Sequence, residues 1–231
     1  MKIGLLCAMI SEFEQLKCHL SIKRETNIAK TTVLEGSIDG LAVVLAATGI
    51  CKVNAAITAQ MLIDRFGVTH MMMVGVAGGM DPRLGLHALA FSERLAQHDV
   101  VPQFLRHRPL PAGDGIFTGD THMLSICRRL NEEGAFLYPA FFGTMVSGEQ
   151  FIDQEGRQEI IDVWYPLCVD MESAAAAHAC CANDIPFIAI RAMSDTGAES
   201  GSDAFHAHEV SAADAAAAAA AAVLKALARE A

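Results

Sequence analysis

The chain has 231 residues, 52% of them apolar, and a formal net charge of −10. That composition supplies one substantial core and excludes a disordered or solvated linker. The acidic balance argues against nucleic acid as a partner, because a phosphate backbone calls for concentrated lysine and arginine.

"KIGLLC" (Lys2–Cys7) is a short apolar strand leading into a helical pattern from Ile10 to Leu20. Its early charged residues do not fit a secretory leader, and no apolar run reads as a membrane span, so a soluble, cytoplasmic protein is expected. "TTVLEGSIDGLAVVLAAT" reads as a hairpin around Asp39-Gly40, a favourable turn pair. "KVNAAITAQMLIDRFG" has helical spacing and stops at Gly67. "HMMMVGVAGG" is a buried strand entering a glycine turn, its methionines serving as core.

From Asp81 to about Phe117 the pattern is weak, with one brief apolar run near Leu89. "FFGTMVSGEQFI" is strand-like, and a helix is expected over Met171–Asn183, followed by the strand "FIAIRAMS" (Phe187–Ser194). "SAADAAAAAAAAVLKALAREA" closes the chain as a helix, with Asp214 near its start and Lys225 and Arg229 near its end, matching the dipole. Without linker or repeat, residues 1–231 form one α/β domain. Seven cysteines show no CxxC and no ligand spacing, so reduced thiols are expected and neither metal nor cofactor.

Acids recur just beyond strand ends or at helix starts: Glu12 after the first strand, Glu172 at the alanine-rich helix, Asp195 after "FIAIRAMS". The glycine turn Gly75–Gly79 is similarly placed. Ligands of open α/β sheets bind outside the carboxyl ends of the strands, so these groups can meet in one cleft. Each also has a plain reading as a first-turn acid or a turn residue, and "GVAGG" is neither GxGxxG nor a P-loop. Asp170 and Glu172 together are either caps for the alanine helix or functional groups. Acids without a metal motif suit proton transfer around a glycosidic bond, where one carboxylate activates water and another protonates the leaving portion.

Six segments, "MKIGLLCAM" with Glu12, "TGICKVNAA", "GVAGG", "SGEQFI", "DMESAA" and "IRAMSD", lie in one order along nearly the whole chain. Together they resemble the 5′-methylthioadenosine/S-adenosylhomocysteine nucleosidase family of the purine nucleoside phosphorylase superfamily. The resemblance implies a three-layer α/β/α sandwich with a mixed central sheet, acting as a cytoplasmic homodimer. It implies hydrolysis of the adenine–ribose bond in methylthioadenosine and S-adenosylhomocysteine, with 5′-deoxyadenosine a further candidate.

By the same resemblance, Glu12 is the base for water and Asp195 the acid at adenine N7, with Ser194 beside it. Glu172 accepts the ribose hydroxyls and Met171 lines the sugar. Phe151 stacks on adenine, the backbone of Ile152 reads the purine edge, and Ala77 and Gly78 lie beneath the base. Arg191 has a supporting role, and Met9, Ile50 and Phe205 form the apolar 5′ pocket. The chain departs from the family pattern at Ile10 and Ser11 before the base, Cys51 for glycine, Val76 for serine, Glu149 for aspartate and Ser173 for glycine. Residues 84–104, which in the family help close the other subunit's 5′ pocket, fit least well. This pattern leaves the preferred 5′ substituent open and favours a paralogue of shifted preference.

Two alternatives stand beside this reading: a phosphorylase using phosphate in place of water, and a non-catalytic nucleoside-binding module. A phosphorylase needs a cationic pocket, yet "CAMISEFEQL" has no Lys or Arg before Lys17 and "GVAGGMDP" has none. A binding module has no need for both a base and an acid.

Overall fold

The computed structural model describes residues 1–101, 115–197 and 201–230. The strands are β1 (Lys2–Cys7), β2 (Ser21–Ile28), β3 (Thr31–Ile38), β4 (Leu41–Ala47), β5 (His70–Gly79), β6 (Leu89–Gln97), β7 (Ile116–Thr118), β8 (Ala140–Ser147), β9 (Cys168–Asp170) and β10 (Phe187–Asp195). The helices among these residues are α1 (Ile10–Lys17), α2 (Lys52–Phe66), α3 (Thr121–Glu132), α4 (Arg157–Trp164), α5 (Ser173–Ala182) and α6 (Ser202–Ala228).

All ten strands join one mixed sheet. β1 runs parallel to both β4 and β5, while β3 extends antiparallel to β4 and β2 to β3. At the other end β5 pairs with β10 and β9, and β6 and β8 complete the circuit from β10 to β9. Helices cover both faces. Phe13 and Leu16 of α1, Met123 of α3 and the alanines of α6 pack with Ile3, Leu5 and Cys7. On the opposite face Leu62 of α2 and Ala174, Ala176 and Ala177 of α5 pack with Leu6 and Met73. The alternation of Leu5 and Leu6 between these cores follows from the two-residue period of a strand. The expected three-layer α/β/α arrangement with a mixed sheet is the one observed.

The hairpin turns at Asp39-Gly40, both with positive φ (47° and 89°), as a tight two-residue loop requires. Gly67 ends α2 in the left-handed conformation. Other boundaries differ from the sequence reading. Helix α1 stops at Lys17 rather than Leu20. The brief run near Leu89 is the nine-residue strand β6, buried between β10 and β8. Strand β2, "SIKRETNI", escaped notice because it is an edge strand, mostly exposed and without an apolar alternation. The short segments β7, β9, α3 and α4 were not anticipated either.

The last helix begins at Ser202, so Asp214 lies in its interior and Asp203 is the first-turn acid. Lys225 does occupy the last turn. Contrary to expectation, α6 is long and apolar enough to cross a membrane, with a mean hydropathy of 1.5, but 67% of that stretch is buried inside the protein. Alanine explains both facts: it allows α6 to pack closely on the sheet while keeping the helix apolar on every side.

Candidate active site

A cleft of about 530 Å³ opens where β5, β9 and β10 end. Ala77, Gly78, Phe151, Ile152, Met171, Glu172, Ser194, Asp195 and Phe205 line it, with Val76, Gln150, Val169 and Asp170 between them. Phe151 is half exposed and meets Phe205 edge-on, with ring centroids 5.9 Å apart. An apolar ring with open space before it suits a flat heterocycle.

Asp195 is delivered by an irregularity in β10. The register against β5 shifts between Met193 and Asp195, which sets Asp195 opposite Gly78. A Cβ on Gly78 would come within 3.2 Å of Asp195 Oδ2, so glycine keeps this approach open. Oδ1 lies 3.0 Å from the Ser194 hydroxyl, whereas Oδ2 is buried with no hydrogen-bond partner among the described residues. Burial raises the Asp195 pKa, opposed by the Ser194 hydrogen bond and the charge of Arg157. A protonated carboxyl at the cleft wall is a proton donor.

Glu12 sits under the floor, in the first turn of α1. Its Oε2 accepts from the Ala8 and Met9 amides at 2.7 and 2.8 Å, and Oε1 accepts from the Val76 amide at 2.8 Å. A carboxylate has about four acceptor sites, so Oε1 retains one lone pair besides these bonds. Burial raises the Glu12 pKa, countered by Arg191 and the three amides. This packing needs Gly75: a Cβ there would overlap the Glu12 carboxylate and lie 2.7 Å from Arg191 Nη1.

Asp170 and Glu172 divide the two roles left open by the sequence. Asp170 Oδ1 accepts from the Glu172 and Ser173 amides at 3.2 and 3.1 Å and from the Ser147 hydroxyl, so it caps α5. Glu172 turns away from the helix. Its Oε1 accepts from the Cys51 amide at 2.9 Å and its Oε2 from Arg191 Nη2 at 3.2 Å. Close packing of the alanines Ala174–Ala177 holds this helix end against the sheet.

Arg191 joins the acids. Wholly buried, it donates from Nε to Asp170 Oδ2 at 2.8 Å and lies 3.8 Å from Glu12 Oε1 through Nη1. The Ser173 hydroxyl, where the family pattern has glycine, accepts from the same Nε at 3.1 Å. One guanidinium therefore faces three carboxylates. Burial drives the Glu172 pKa up to about 7, with Arg191 opposing and Asp170 reinforcing the rise.

This has a testable consequence for stability. Folded Glu172 holds its proton more tightly than the unfolded chain, whose reference value is 4.5, so its contribution to stability falls as pH rises from about 4.5 through about 7. His19, His70, His87 and His98, all lowered by burial, act in the opposite direction. The Glu172→Gln variant isolates the carboxylate. Urea unfolding at pH 5 and pH 8 is expected to show it gaining stability relative to wild type as pH rises. A pH-independent difference contradicts this.

Two sequence-selected residues lie elsewhere. Met9 and Ile50 do not line the cleft but a second groove, with Phe13, Leu34 and Thr48, because they follow β1 and β4 at the open wing of the sheet. Arg191 is no wall residue either, since its side chain is sealed behind the cleft. The departures Cys51 and Glu149 act on each other: burial raises the Cys51 thiol pKa and the Glu149 carboxylate adds to the rise. Cys51 adopts φ 84° and ψ 160°, a conformation favouring glycine, and thereby aims its amide at Glu172. Asp99 ties the same region together, accepting from Lys52 Nζ at 2.6 Å and the Glu149 amide at 2.9 Å. Of the weakly matching 84–104 segment, residues 102–104 lie outside the described residues.

Sequence reasoning passed over Arg157. It belongs to α4, is 7% exposed and donates from Nη2 to the Gly79 carbonyl. No motif or spacing in "DQEGRQEI" signals it, since its partners are backbone and long-range.

Comparison with known proteins bears on the whole chain. A family model described as the phosphorylase superfamily matches residues 2–229. The 5′-methylthioadenosine/S-adenosylhomocysteine nucleosidase of Mycobacterium bovis is 32% identical over 87% of this chain and 88% of its own. That of Halalkalibacterium halodurans is 34% identical over 86% and 87%. This chain belongs to the 5′-methylthioadenosine/S-adenosylhomocysteine nucleosidase family.

Among solved structures, the Neisseria meningitidis nucleosidase in complex with methylthio-immucillin-A superposes with a TM-score of 0.89 at 27% identity, covering 97% of this chain and 99% of that one. The Colwellia psychrerythraea nucleosidase with adenine gives 0.88 at 29% identity, covering 97% and 95%. The family fold is broader than one substrate: the Helicobacter pylori futalosine hydrolase matches at 0.88 with 23% identity over 97% of each chain, a likeness of fold alone.

Proposed function

We propose that the chain hydrolyses the N-glycosidic bond of 5′-methylthioadenosine and S-adenosylhomocysteine, giving adenine and the 5′-substituted ribose. The observation carrying this reading is Asp195, a buried carboxyl with an oxygen unpartnered among the described residues, on the wall of a cleft roofed by Phe151. Adenine stacks on Phe151 with N7 toward Asp195 Oδ2. Glu172 receives the ribose hydroxyls beside Met171. Glu12 takes a proton from water through the remaining lone pair of Oε1.

As the C1′–N9 bond breaks, its electron pair goes to adenine and the Asp195 proton to N7, so the base leaves neutral. The water oxygen bonds C1′, and its proton stays on Glu12 until solvent restores both carboxyls. Positive charge on the oxocarbenium-like sugar is favoured by the acids around it. Phe205 bounds the 5′ side. The larger homocysteine portion needs room beyond the cleft, for which the groove of Met9 and Ile50 is the candidate.

Water rather than phosphate is the acceptor in this reading. Arg191, the cation between Glu12 and Glu172, is already engaged by carboxylates. The protein acts as a cytoplasmic homodimer, a reading supported by exposed Val53 and Ile57 one turn apart on α2, with Ile50 nearby in sequence. No cofactor or metal takes part. Adenine release from methylthioadenosine, S-adenosylhomocysteine, 5′-deoxyadenosine and adenosine, assayed with and without phosphate, tests the function. Release without phosphate is expected; strict phosphate dependence makes the chain a phosphorylase, and binding without release makes it a binding module.

A further inference from the structure

Arg157 is held between two elements of the cleft floor. Nη2 donates to the Gly79 carbonyl at the end of β5, and a Cβ on Gly197 would lie 3.4 Å from the same nitrogen, so the guanidinium packs against the turn after Asp195. Gly79 is itself close to Asp195: a Cβ on it would stand 3.2 Å from the Asp195 carbonyl oxygen. Among the described residues Nη1 is buried without a hydrogen-bond partner, as is Asp195 Oδ2. Nature's usual economy with buried polar atoms makes two such atoms in one corner informative. Neither belongs to the Arg191 network.

We propose that Arg157 is a positioning residue for proton transfer, its buried guanidinium stabilising the carboxylate that Asp195 becomes as its proton passes to the leaving base. This rests on the proposed role of Asp195. In the proposed reading Asp195 enters the reaction as the neutral acid, from which Arg157 gains little. When the proton leaves, a negative charge forms near a cation that packs against the turn after Asp195, in a corner shielded from water where the attraction is strengthened. The balance is simple: the Asp195 O–H bond breaks, its proton bonds the purine nitrogen, and the pair left on oxygen is stabilised by Arg157.

Among the described residues, the charged and titratable groups facing Asp195 from the packed elements are few. Arg157 on α4 lowers its pKa and Asp153, in the segment before α4, raises it. The Cys168 thiol on β9 is held protonated by burial. Asp153 also acts on Arg157, raising its pKa, and its carboxylate lies beside Gly201, where a Cβ would stand 3.1 Å away.

The test is the pH profile of kcat/KM together with kcat for methylthioadenosine, in wild type, Arg157→Met, Arg157→Lys and Asp153→Asn. Loss of the basic limb in Asp195→Asn assigns that limb to Asp195. Removing the cation is expected to move the limb to higher pH, because the acid holds its proton longer, and to lower kcat about tenfold, part of what general acid catalysis supplies. Lysine restores both. Asp153→Asn moves the limb to lower pH, and this exposed position decides the matter if Arg157→Met does not fold. An unmoved limb in a folded Arg157→Met, or in Asp153→Asn, overturns the proposal. Wild-type protein that releases no adenine instead overturns the reading of Asp195 as an acid, leaving these outcomes distinct.

Discussion

Replacing Asp195 by asparagine is expected to lower kcat for adenine release by about 10²–10⁴-fold, the usual worth of general acid assistance. The two side chains are nearly the same size, and Asp195 makes one described hydrogen bond, to Ser194. Asparagine can keep that bond through its carbonyl oxygen, so the fold survives. What is lost is a transferable proton. Leaving as an anion is far harder for adenine than leaving neutral, so the effect falls on kcat rather than on KM. Adenine release under saturating methylthioadenosine, with thermal unfolding alongside, measures both. Wild-type kcat in a folded variant would remove Asp195 from the role.

The largest effect on stability is expected at Arg191. Its guanidinium is wholly buried and meets Asp170, Glu172 and Glu12 within 4 Å. Methionine fills similar space but leaves the carboxylates without their counter-charge. Breaking a buried ion pair by removing one partner costs about 3–5 kcal/mol. Arg191→Met should therefore lose about that much unfolding free energy at pH 8 in urea titration. The loss should be smaller at pH 5, because Glu172, already raised to about 7 beside Arg191, is then protonated and needs less compensation. An equal loss at both pH values would separate Arg191 from the charges and leave only its packing.

These expectations share a cause. Strand ends, helix starts and glycines bring Glu12, Glu172 and Asp195 to one end of the sheet, the first two sharing Arg191 with Asp170. Burial raises the pKa of Glu12, Glu172 and Asp195 alike, but their hydrogen bonds differ. Glu12 accepts three backbone amides, whereas Asp195 has an oxygen free. That difference gives the proposed base three donors that favour its charged form and the proposed acid only one, the contrast expected when environments push two carboxyls apart.

The sequence by itself determined the α/β class, the hairpin at Asp39-Gly40, the stop at Gly67 and the location of Glu12, Glu172 and Asp195 at element ends. Each depends on local chemistry: strand and helix periods, turn residues with positive φ, and helix-capping preferences. Tertiary structure alone decided the edge strand β2, the start of α6 at Ser202, and which of Asp170 and Glu172 caps the alanine helix. It also placed Met9 and Ile50 in a second groove, sealed Arg191 behind the cleft and brought Arg157 to the Gly79 carbonyl at the end of β5. These outcomes depend on contacts across long stretches of chain, such as Arg157 to Gly79 and Cys51 to Glu172. Local periodicity carries no information about such contacts, because the energy that selects them comes from burial and charge pairing after the chain has closed on itself.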